Sequence, residues 1–324
     1  MEFIKLQYKI ILCLFLLVSC TKEFKLTAPD DFEVTTESST YKKGELVTFK
    51  FNGNPQLISV YTGEVGKDYA FKDGRVMDVT SLKLLLNSSV TDGTGTGAQQ
   101  MGMFSLIAST DFNGDYTNFS SVQTATWTDI TSRLTKQEAA TTTTITAATP
   151  PEGIDLTDLR VAGKPLYIAF RYNIKEQSLY GIWRAWKFQA FQLSAITATG
   201  PQVLGNMTTT SFRVVQKKPE IVSRTTATVA TLTLMHADLA IYPQFAEIPT
   251  QNWIITQPFN NVNKIDYGPD RTIPIQGGTS AVGKKEFSYT FTASGNYKVY
   301  FIASNASTSE RKDVVREVDI TITN

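Results

Sequence analysis

Short segments rich in β-branched and aromatic residues fill the middle of the chain, between residues 103 and 191. Each segment ends in turn-forming residues, which is typical of β-strands. In residues 166–172, every second side chain from Leu166 to Tyr172 lies on one face, because side chains alternate along a strand. The spacing predicts half of a two-sheet β-sandwich. The segments are residues 104–110, 125–131, 154–159, 166–172 and 183–191.

Strand patterns also occur near both ends of the chain, at residues 32–34, 46–51, 57–61, 69–71, 272–275, 287–292, 297–304 and 314–322. Neither end alone holds the roughly seven strands of an immunoglobulin-like sandwich. We therefore predict that residues 31–75 and 267–324 build one sandwich, with residues 76–266 inserted between its strands, since insertion is tolerated where loop ends lie close together. Two small separate β modules at the ends are the alternative.

Helix patterns are scarce, so the sequence predicts an all-β protein made of two sandwiches. Residues 133–140 allow two helical turns, and residues 232–239 are ambiguous. A Gly/Thr-rich loop is predicted at residues 90–100, and a Thr/Ala-rich tract at residues 139–149 favours strand or loop over helix. Within the insert, strands are also predicted at residues 76–86 and 251–259.

The first residues have the features of a secretory signal peptide. Two lysines precede the apolar run of residues 10–18, which is too short to cross a bilayer. The run ends in Leu-Val-Ser-Cys, which resembles the lipobox of bacterial lipoproteins. The resemblance implies that residues 1–19 are removed and that Cys20 carries lipid. An ordinary secretory signal with an incidental cysteine is the alternative.

The segment after Cys20 predicts a location outside the cell. Residues 21–23 (Thr-Lys-Glu) resemble the charged export signal of Bacteroidetes surface lipoproteins, which implies a lipid-anchored protein of the outer membrane that faces the cell exterior. Residues 20–30 are predicted to be a lipidated tether. The other cysteine, Cys13, lies in the removed segment, so no disulfide is expected. Removal of residues 1–19 leaves a formal net charge of zero, which does not indicate binding to nucleic acid.

Two stretches resemble known domain families. Residues 287–305 are similar to the closing strands of PKD (polycystic-kidney-disease-type) domains, although residues 60–66 replace the Trp-Asp-Phe-Gly-Asp-Gly hallmark of these domains. The strands of the insert resemble galactose-binding-like jelly rolls in a permuted order, with the Asn-Trp-Ile-Ile element of residues 252–255 coming last. The whole layout resembles an uncharacterised family of Bacteroidetes surface lipoproteins. That resemblance implies polysaccharide utilisation beside an outer-membrane glycan importer.

Nothing in the sequence nominates a catalytic residue. His236 is the single histidine and lies in a semi-apolar segment, where a packed side chain is the usual role. The chain lacks the Gly-x-Ser-x-Gly, His-Glu-x-x-His and P-loop motifs. We therefore expect a protein that is not an enzyme. A pair of carboxylates for glycoside hydrolysis, far apart in the chain, remains the alternative.

Asp111, Asn113 and Asp115 are candidate ligands of a metal ion, because they place oxygen atoms at alternate positions, as Ca²⁺ requires. An EF-hand would need Gly and Glu where Tyr116 and Val122 stand. A hairpin turn at Asn113 and the following glycine explains the same residues, and we favour it. We therefore expect no cofactor, with a structural calcium ion as the alternative.

The best candidate for a ligand site surrounds the polar loop of residues 173–178. Exposed rings with flanking hydrogen-bonding groups suit sugars, which present apolar C–H faces and hydroxyl edges. Simple alternation exposes Trp183, places Trp186 in the core and buries Arg184, which is costly without a partner. A β-bulge near Arg184 would exchange the two faces. The proposed ligand-binding residues are Tyr172, Tyr180, Trp183, Arg184 and Trp186.

These features together predict a non-catalytic surface lipoprotein that binds a glycan or oligosaccharide in support of an outer-membrane importer. The predicted partners are the glycan, the outer membrane through the lipid anchor, and the importer complex. A structural or adhesive lipoprotein that contacts a protein partner is the alternative function.

Overall fold

The computed structural model describes residues 25–93, 97–135, 138, 142–279 and 283–324. The predicted signal peptide at residues 1–19, the lipidated Cys20 and the export signal at residues 21–23 lie outside these residues. No helix in the described part is long and apolar enough to cross a membrane. The chain forms two compact units: unit 1 comprises residues 25–74 together with Pro269–Asn324, and unit 2 comprises Arg75–Gly268.

The described residues form 22 strands and two short α-helices, so the predicted all-β fold is confirmed. The helices are α1 (Phe119–Thr124) and α2 (Gln177–Tyr180). The strands are β1 (Glu33–Thr35), β2 (Thr40–Lys42), β3 (Leu46–Asn52), β4 (Leu57–Tyr61), β5 (Val76–Asp78), β6 (Ser81–Asp92), β7 (Phe104–Ser109), β8 (Thr128–Asp129), β9 (Thr142–Ala147), β10 (Ile154–Asp155), β11 (Tyr167–Ile174), β12 (Arg184–Thr197), β13 (Gly200–Asn206), β14 (Phe212–Gln216), β15 (Thr226–Ala227), β16 (Leu232–Leu234), β17 (Thr250–Thr256), β18 (Lys264–Asp266), β19 (Ile273–Gln276), β20 (Glu286–Thr290), β21 (Gly295–Ala306) and β22 (Arg311–Thr323).

Unit 1 has two sheets, and both ends of the chain contribute to each. One sheet has the order β1-β3-β20, and the other has the order β19-β4-β21-β22-β2. Aromatic side chains fill the space between them: the ring centroids of Phe49 on β3 and Phe301 on β21 lie 5.0 Å apart. Alternation explains this packing, since Val47, Phe49 and Phe51 all belong to the core of this unit.

One predicted strand of unit 1 is wrong. Tyr69–Phe71 forms a 3₁₀ turn instead of a strand. The carboxylate of Asp68 accepts a hydrogen bond from the backbone N–H of Ala70 at 3.0 Å and so caps this turn. The side chain of Asp68 therefore favours a local turn at Tyr69–Phe71 over an extended strand.

Unit 2 also contains two facing sheets. The first has the order β14-β17-β11-β7-β8, and the second has the order β10-β6-β12-β16-β15, with β9 and β13 pairing to β6 and β12. Phe170 on β11 and Phe188 on β12 meet between the sheets at a centroid distance of 4.8 Å. The first and last strands of the unit, β5 and β18, pair antiparallel, so its two ends lie side by side.

A second hydrophobic cluster covers the outer face of the first sheet of unit 2. The segment of residues 111–127, which includes α1, packs Phe112 and Val122 against Tyr167 and Trp253. Tyr167 lies on β11, whose opposite side chains fill the core between the sheets. Strand β11 is therefore buried on both faces over its first half, which alternation alone did not predict.

Several strands of unit 2 differ from the predictions. Strands β13 and β14 were not predicted, and β6 continues to Asp92 through the start of the predicted loop at residues 90–100. The predicted strands at residues 125–131 and 154–159 shorten to two residues each, and both end in 3₁₀ turns. The ambiguous segment at residues 232–239 begins with the strand β16. Part of the predicted helical segment at residues 133–140 lies outside the described residues.

Strand β12 contains a bulge that changes which side chains face the core. The pairing of β12 with β6 shifts register between Phe188 and Ala190, so Gln189 is the extra residue. Even-numbered positions such as Trp186 and Phe188 point into the core before the bulge, and Phe191 and Leu193 do so after it. The bulge therefore lies at Gln189 and leaves the faces around Arg184 unchanged.

Candidate functional site

Four of the five predicted ligand-binding side chains are buried, and Tyr180 alone among them is exposed, at 50%. Tyr172 has no exposed surface, and its hydroxyl donates a hydrogen bond to the backbone carbonyl of Arg184. Burial raises the pKa of the Tyr172 phenol well above its usual value. Trp186 lies in the core with its ring centroid 4.4 Å from that of Phe104. The structure does not bring the five side chains together as one exposed cluster.

The prediction that Trp183 is exposed is wrong, since this side chain is only 7% exposed. Its indole ring packs edge-on against the ring of His236, with the centroids 6.4 Å apart. The segment that carries His236 follows β16 and covers this end of β12. Lys187, on the same face of β12 as Trp183, stays exposed as predicted. The cover over Trp183 comes from residues about fifty positions away in the chain, so the local pattern does not reveal it.

Arg184 is buried, as alternation predicted, and its charge lies beside a carboxylate and a backbone carbonyl. Its guanidinium forms an ion pair with Asp92 at 3.1 Å and donates to the backbone carbonyl of Glu138. Asp92 ends β6 directly opposite Arg184 on β12. The pair therefore has a structural role in joining these two strands.

Tyr180 lines an open pocket of about 420 Å³ at one end of unit 2. The ring projects from α2 beside Leu179, which is 75% exposed. The Nζ atom of Lys175 lies 4.7 Å from the ring centroid, within cation–π distance. Segments from three parts of the chain line the pocket: Gly97 and Ala98, residues 177–182, and Glu247.

Hydrogen bonds hold the three walls of the Tyr180 pocket together. The side-chain amide of Gln100 donates to the carbonyl oxygens of Lys175 and Gly181, both at 2.8 Å. The carboxylate of Glu247 accepts from the backbone N–H and, at 2.6 Å, from the hydroxyl of Ser178. The pocket is therefore built by long-range contacts, and sequence spacing indicated only the wall that carries Tyr180.

Gly181 is required for the close approach of two of these walls. Its φ of +91° is unfavourable for residues with a side chain, and a Cβ atom would lie 2.1 Å from the backbone oxygen of Ala98. The glycine lets the N–H of Ile182 donate to that same oxygen at 2.7 Å. In the sequence, a glycine directly after Tyr180 is consistent with such a close approach.

A second pocket of about 330 Å³ lies beside β7 and contains the carboxylates of Asp111 and Asp158 together with Lys164. A glycosidase needs one carboxyl group that is protonated near neutral pH. The hydroxyl of Ser109, which donates at 2.7 Å, lowers the pKa of Asp111, and Arg133, at 2.6 Å, lowers the pKa of Asp158. Both carboxylates are charged at neutral pH, so neither is suited to act as a general acid.

The candidate calcium ligands take part in local turns. Asp111 accepts from the backbone N–H of Thr126 at 2.8 Å, and Asn113 accepts from the N–H of Asp115 at 3.0 Å. The hydroxyl of Thr117 donates to Asp115 and lowers its pKa. Among the described residues, no group of three or more His, Cys, Asp or Glu side chains is placed to hold a metal ion. The segment is no tight hairpin, since α1 separates it from β8, the strand that pairs with β7.

His236 is packed in the interior and does not line either pocket. Its Nε2 atom lies 3.3 Å from the carbonyl oxygen of Phe245, and burial lowers the pKa of the imidazole. A neutral, 1% exposed histidine fits a packing role.

Comparison with known proteins identifies a family but no established activity. Residues 19–212 match the family model described as a domain of unknown function, DUF5017. No curated protein and no solved structure matches the chain. The matched range covers more than half of the 324 residues and includes two walls of the Tyr180 pocket. The expected membership of an uncharacterised domain family is confirmed: this chain belongs to the DUF5017 family.

Proposed function

We propose that this protein is a non-catalytic lipoprotein of the outer-membrane surface that binds a glycan through the Tyr180 pocket. The observation that carries the proposal is the combination of an exposed ring with hydroxyl, amide and carboxylate groups in one open pocket, from Tyr180, Ser178, Gln177 and Glu247. Sugars present apolar C–H faces to such rings and hydroxyls to such polar groups. The volume falls within the range of small-molecule sites.

The proposed location rests on the lipobox-like sequence that ends at Cys20, followed by a charged triplet. A lipid on Cys20 anchors the chain to the outer membrane and holds both sandwiches outside the cell. The end of the predicted tether at residues 20–30 packs on unit 1 instead: Leu26 is 4% exposed, and the side-chain amide of Asn305 donates to the carbonyl oxygen of Thr27 at 3.0 Å. There the protein passes bound glycan to an outer-membrane importer, as in the Bacteroidetes loci for polysaccharide utilisation. Unit 1 acts as a PKD-like spacer, and unit 2 is the jelly-roll-like binding module. The proposal includes no cofactor; a structural calcium ion is the alternative.

Affinity electrophoresis in gels that contain single polysaccharides tests the binding function. The wild-type chain is expected to be retarded by at least one polysaccharide, and Tyr180→Ala is expected to lose most of that retardation. Tyr267→Ala is the matched control, because Tyr267 is 39% exposed and does not line the pocket. Trp183→Ala does not serve here, since removing a buried ring destabilises the fold.

A structural or adhesive role is the second candidate, and the 75% exposure of Leu179 at the pocket rim favours it. It predicts that no polysaccharide retards the protein, while a crosslinkable residue at position 179 captures a protein partner on intact cells.

Labelling with an alkyne fatty acid tests the proposed lipid anchor: Cys20→Ser is expected to abolish labelling. Labelling that persists in this variant would contradict the proposed lipid anchor.

A further inference from the structure

Most backbone hydrogen-bond donors of residues 177–182, in the wall of the Tyr180 pocket, are already occupied. The backbone N–H groups of Gln177, Tyr180, Gly181 and Ile182 donate to backbone carbonyl oxygens at 2.7 to 3.0 Å. Both the N–H and the hydroxyl of Ser178 donate to the Glu247 carboxylate. An anionic ligand group needs such donors, so the backbone of this segment offers it little.

Acceptor oxygens, in contrast, are available in the same wall. The side-chain oxygen of Gln177 is buried and is therefore not one of them. The Glu247 carboxylate accepts hydrogen bonds from Ser178 alone in the described part of the chain, and two carboxylate oxygens offer about four acceptor positions. A ligand that brings its own donors satisfies the remaining positions of this carboxylate.

The charge of the pocket points the same way. Among the described residues that line it, Glu247 is the one charged side chain. Lys175 is nearby, but its ammonium group lies over the Tyr180 ring rather than among the lining residues. A carboxylate or sulfate bound in the pocket would lie near a like charge without a compensating cation in the lining.

We infer that the Tyr180 pocket selects neutral, hydroxyl-bearing glycans and discriminates against uronic-acid and sulfated glycans, with Glu247 as the residue that sets this specificity. The inference rests on the proposed glycan-binding function. Sugar hydroxyls donate to Glu247, while an apolar sugar face contacts the part of the Tyr180 ring that Lys175 leaves free. Glu247 thus repels acidic chains and accepts hydrogen bonds from neutral ones.

Affinity electrophoresis with matched polysaccharides tests this selectivity. The neutral probes are galactomannan, xyloglucan and starch, and the acidic probes are polygalacturonate, alginate and a sulfated galactan. Wild-type protein is expected to be retarded by at least one neutral probe. Its affinity for every acidic probe is expected to be lower than for that neutral probe by a factor of roughly ten or more. Glu247→Gln keeps an acceptor for Ser178 but removes the charge. It is expected to reduce the ratio of neutral-probe affinity to acidic-probe affinity roughly fivefold. Glu176→Gln, outside the pocket lining, is the matched control and should leave this affinity ratio unchanged.

The outcomes separate the inference from the function on which it rests. Stronger retardation by an acidic probe than by any neutral one overturns the inference and leaves the glycan-binding function standing. Equal effects of Glu247→Gln and Glu176→Gln overturn the role of Glu247. Absence of retardation by all six probes overturns the proposed function, and the inference with it. Circular dichroism of each variant checks that the fold is intact, and Tyr180→Ala confirms that any retardation comes from this pocket.

Discussion

Strand β22 of unit 1 and strand β11 of unit 2 were both predicted from alternating side chains, yet only one of them has a solvent-exposed face. From Arg311 to Asp319, odd-numbered side chains of β22 are exposed and even-numbered ones are partly buried. In β11, four residues in succession are buried from Tyr167 to Phe170. Alternation thus correctly assigns the face toward the core in both strands, but it is silent about what covers the other face.

The difference shows how each sandwich is stabilised. In unit 1 one cluster of side chains lies between the two sheets. In unit 2 a further cluster lies outside the first sheet, where Phe112 packs against Tyr167 with their centroids 5.1 Å apart. The segment of residues 111–127 is therefore part of the fold of unit 2 rather than a surface loop. The predictions below compare the two kinds of outer face.

The largest effect is expected for Ala169→Asp. Ala169 has no exposed surface and belongs to the outer cluster, between Ile107 and Ile255 on the neighbouring strands. A carboxylate there is buried without a partner, which costs more than about 4 kcal/mol. Chemical denaturation is expected to show an unfolded or strongly destabilised unit 2. A loss below about 1 kcal/mol would show that the outer cover opens easily.

Comparison of these strands also shows what the sequence could reveal. Local spacing predicts the core face of β11 and the burial of Arg184. It also predicts strands at both ends of the chain. The bulge at Gln189 does not, because it depends on the pairing of β12 with β6. The cover over Trp183 and the three walls of the Tyr180 pocket arise from segments far apart in the chain. Periodicity carries no information about which distant loop returns to a sheet face.

Phe112→Ala tests whether the outer cover contributes as much as a core. Phe112 is buried and contacts the rings of Tyr116, Trp127 and Tyr167. Its removal is expected to cost about 3 kcal/mol in the free energy of unfolding, as for phenylalanines in ordinary cores. Urea denaturation followed by tryptophan fluorescence measures this, since Trp127 lies beside the cavity. A variant that unfolds at the wild-type urea concentration would assign the segment a surface role.

A smaller, pH-dependent effect is expected from His236, which covers the outer face of β12 at Trp183. Burial lowers the pKa of the folded-state imidazole below its usual 6.5. The unfolded chain therefore binds the proton more readily, and stability falls as the pH decreases below 6.5, by at most about 1.4 kcal/mol per pH unit. His236 is the single histidine, so His236→Gln is expected to flatten the dependence of the free energy of unfolding on pH just below pH 6.5. Urea denaturation at several pH values measures this dependence. The same dependence on pH in the wild type and in His236→Gln would contradict the prediction.

The smallest effect is expected for Val315→Thr on the exposed face of β22. Val315 is 37% exposed and lies on the same face as Glu317 and Asp319, which are also exposed. Threonine keeps the β-branched shape, and its hydroxyl remains in contact with water, so the free energy of unfolding should change by no more than about 0.5 kcal/mol. Comparison with Ala169→Asp shows whether a polar substitution at an outward-facing position costs more stability in β11 than in β22, as the burial of the two positions indicates. A loss above about 2 kcal/mol would require a cover over β22 similar to that over β11.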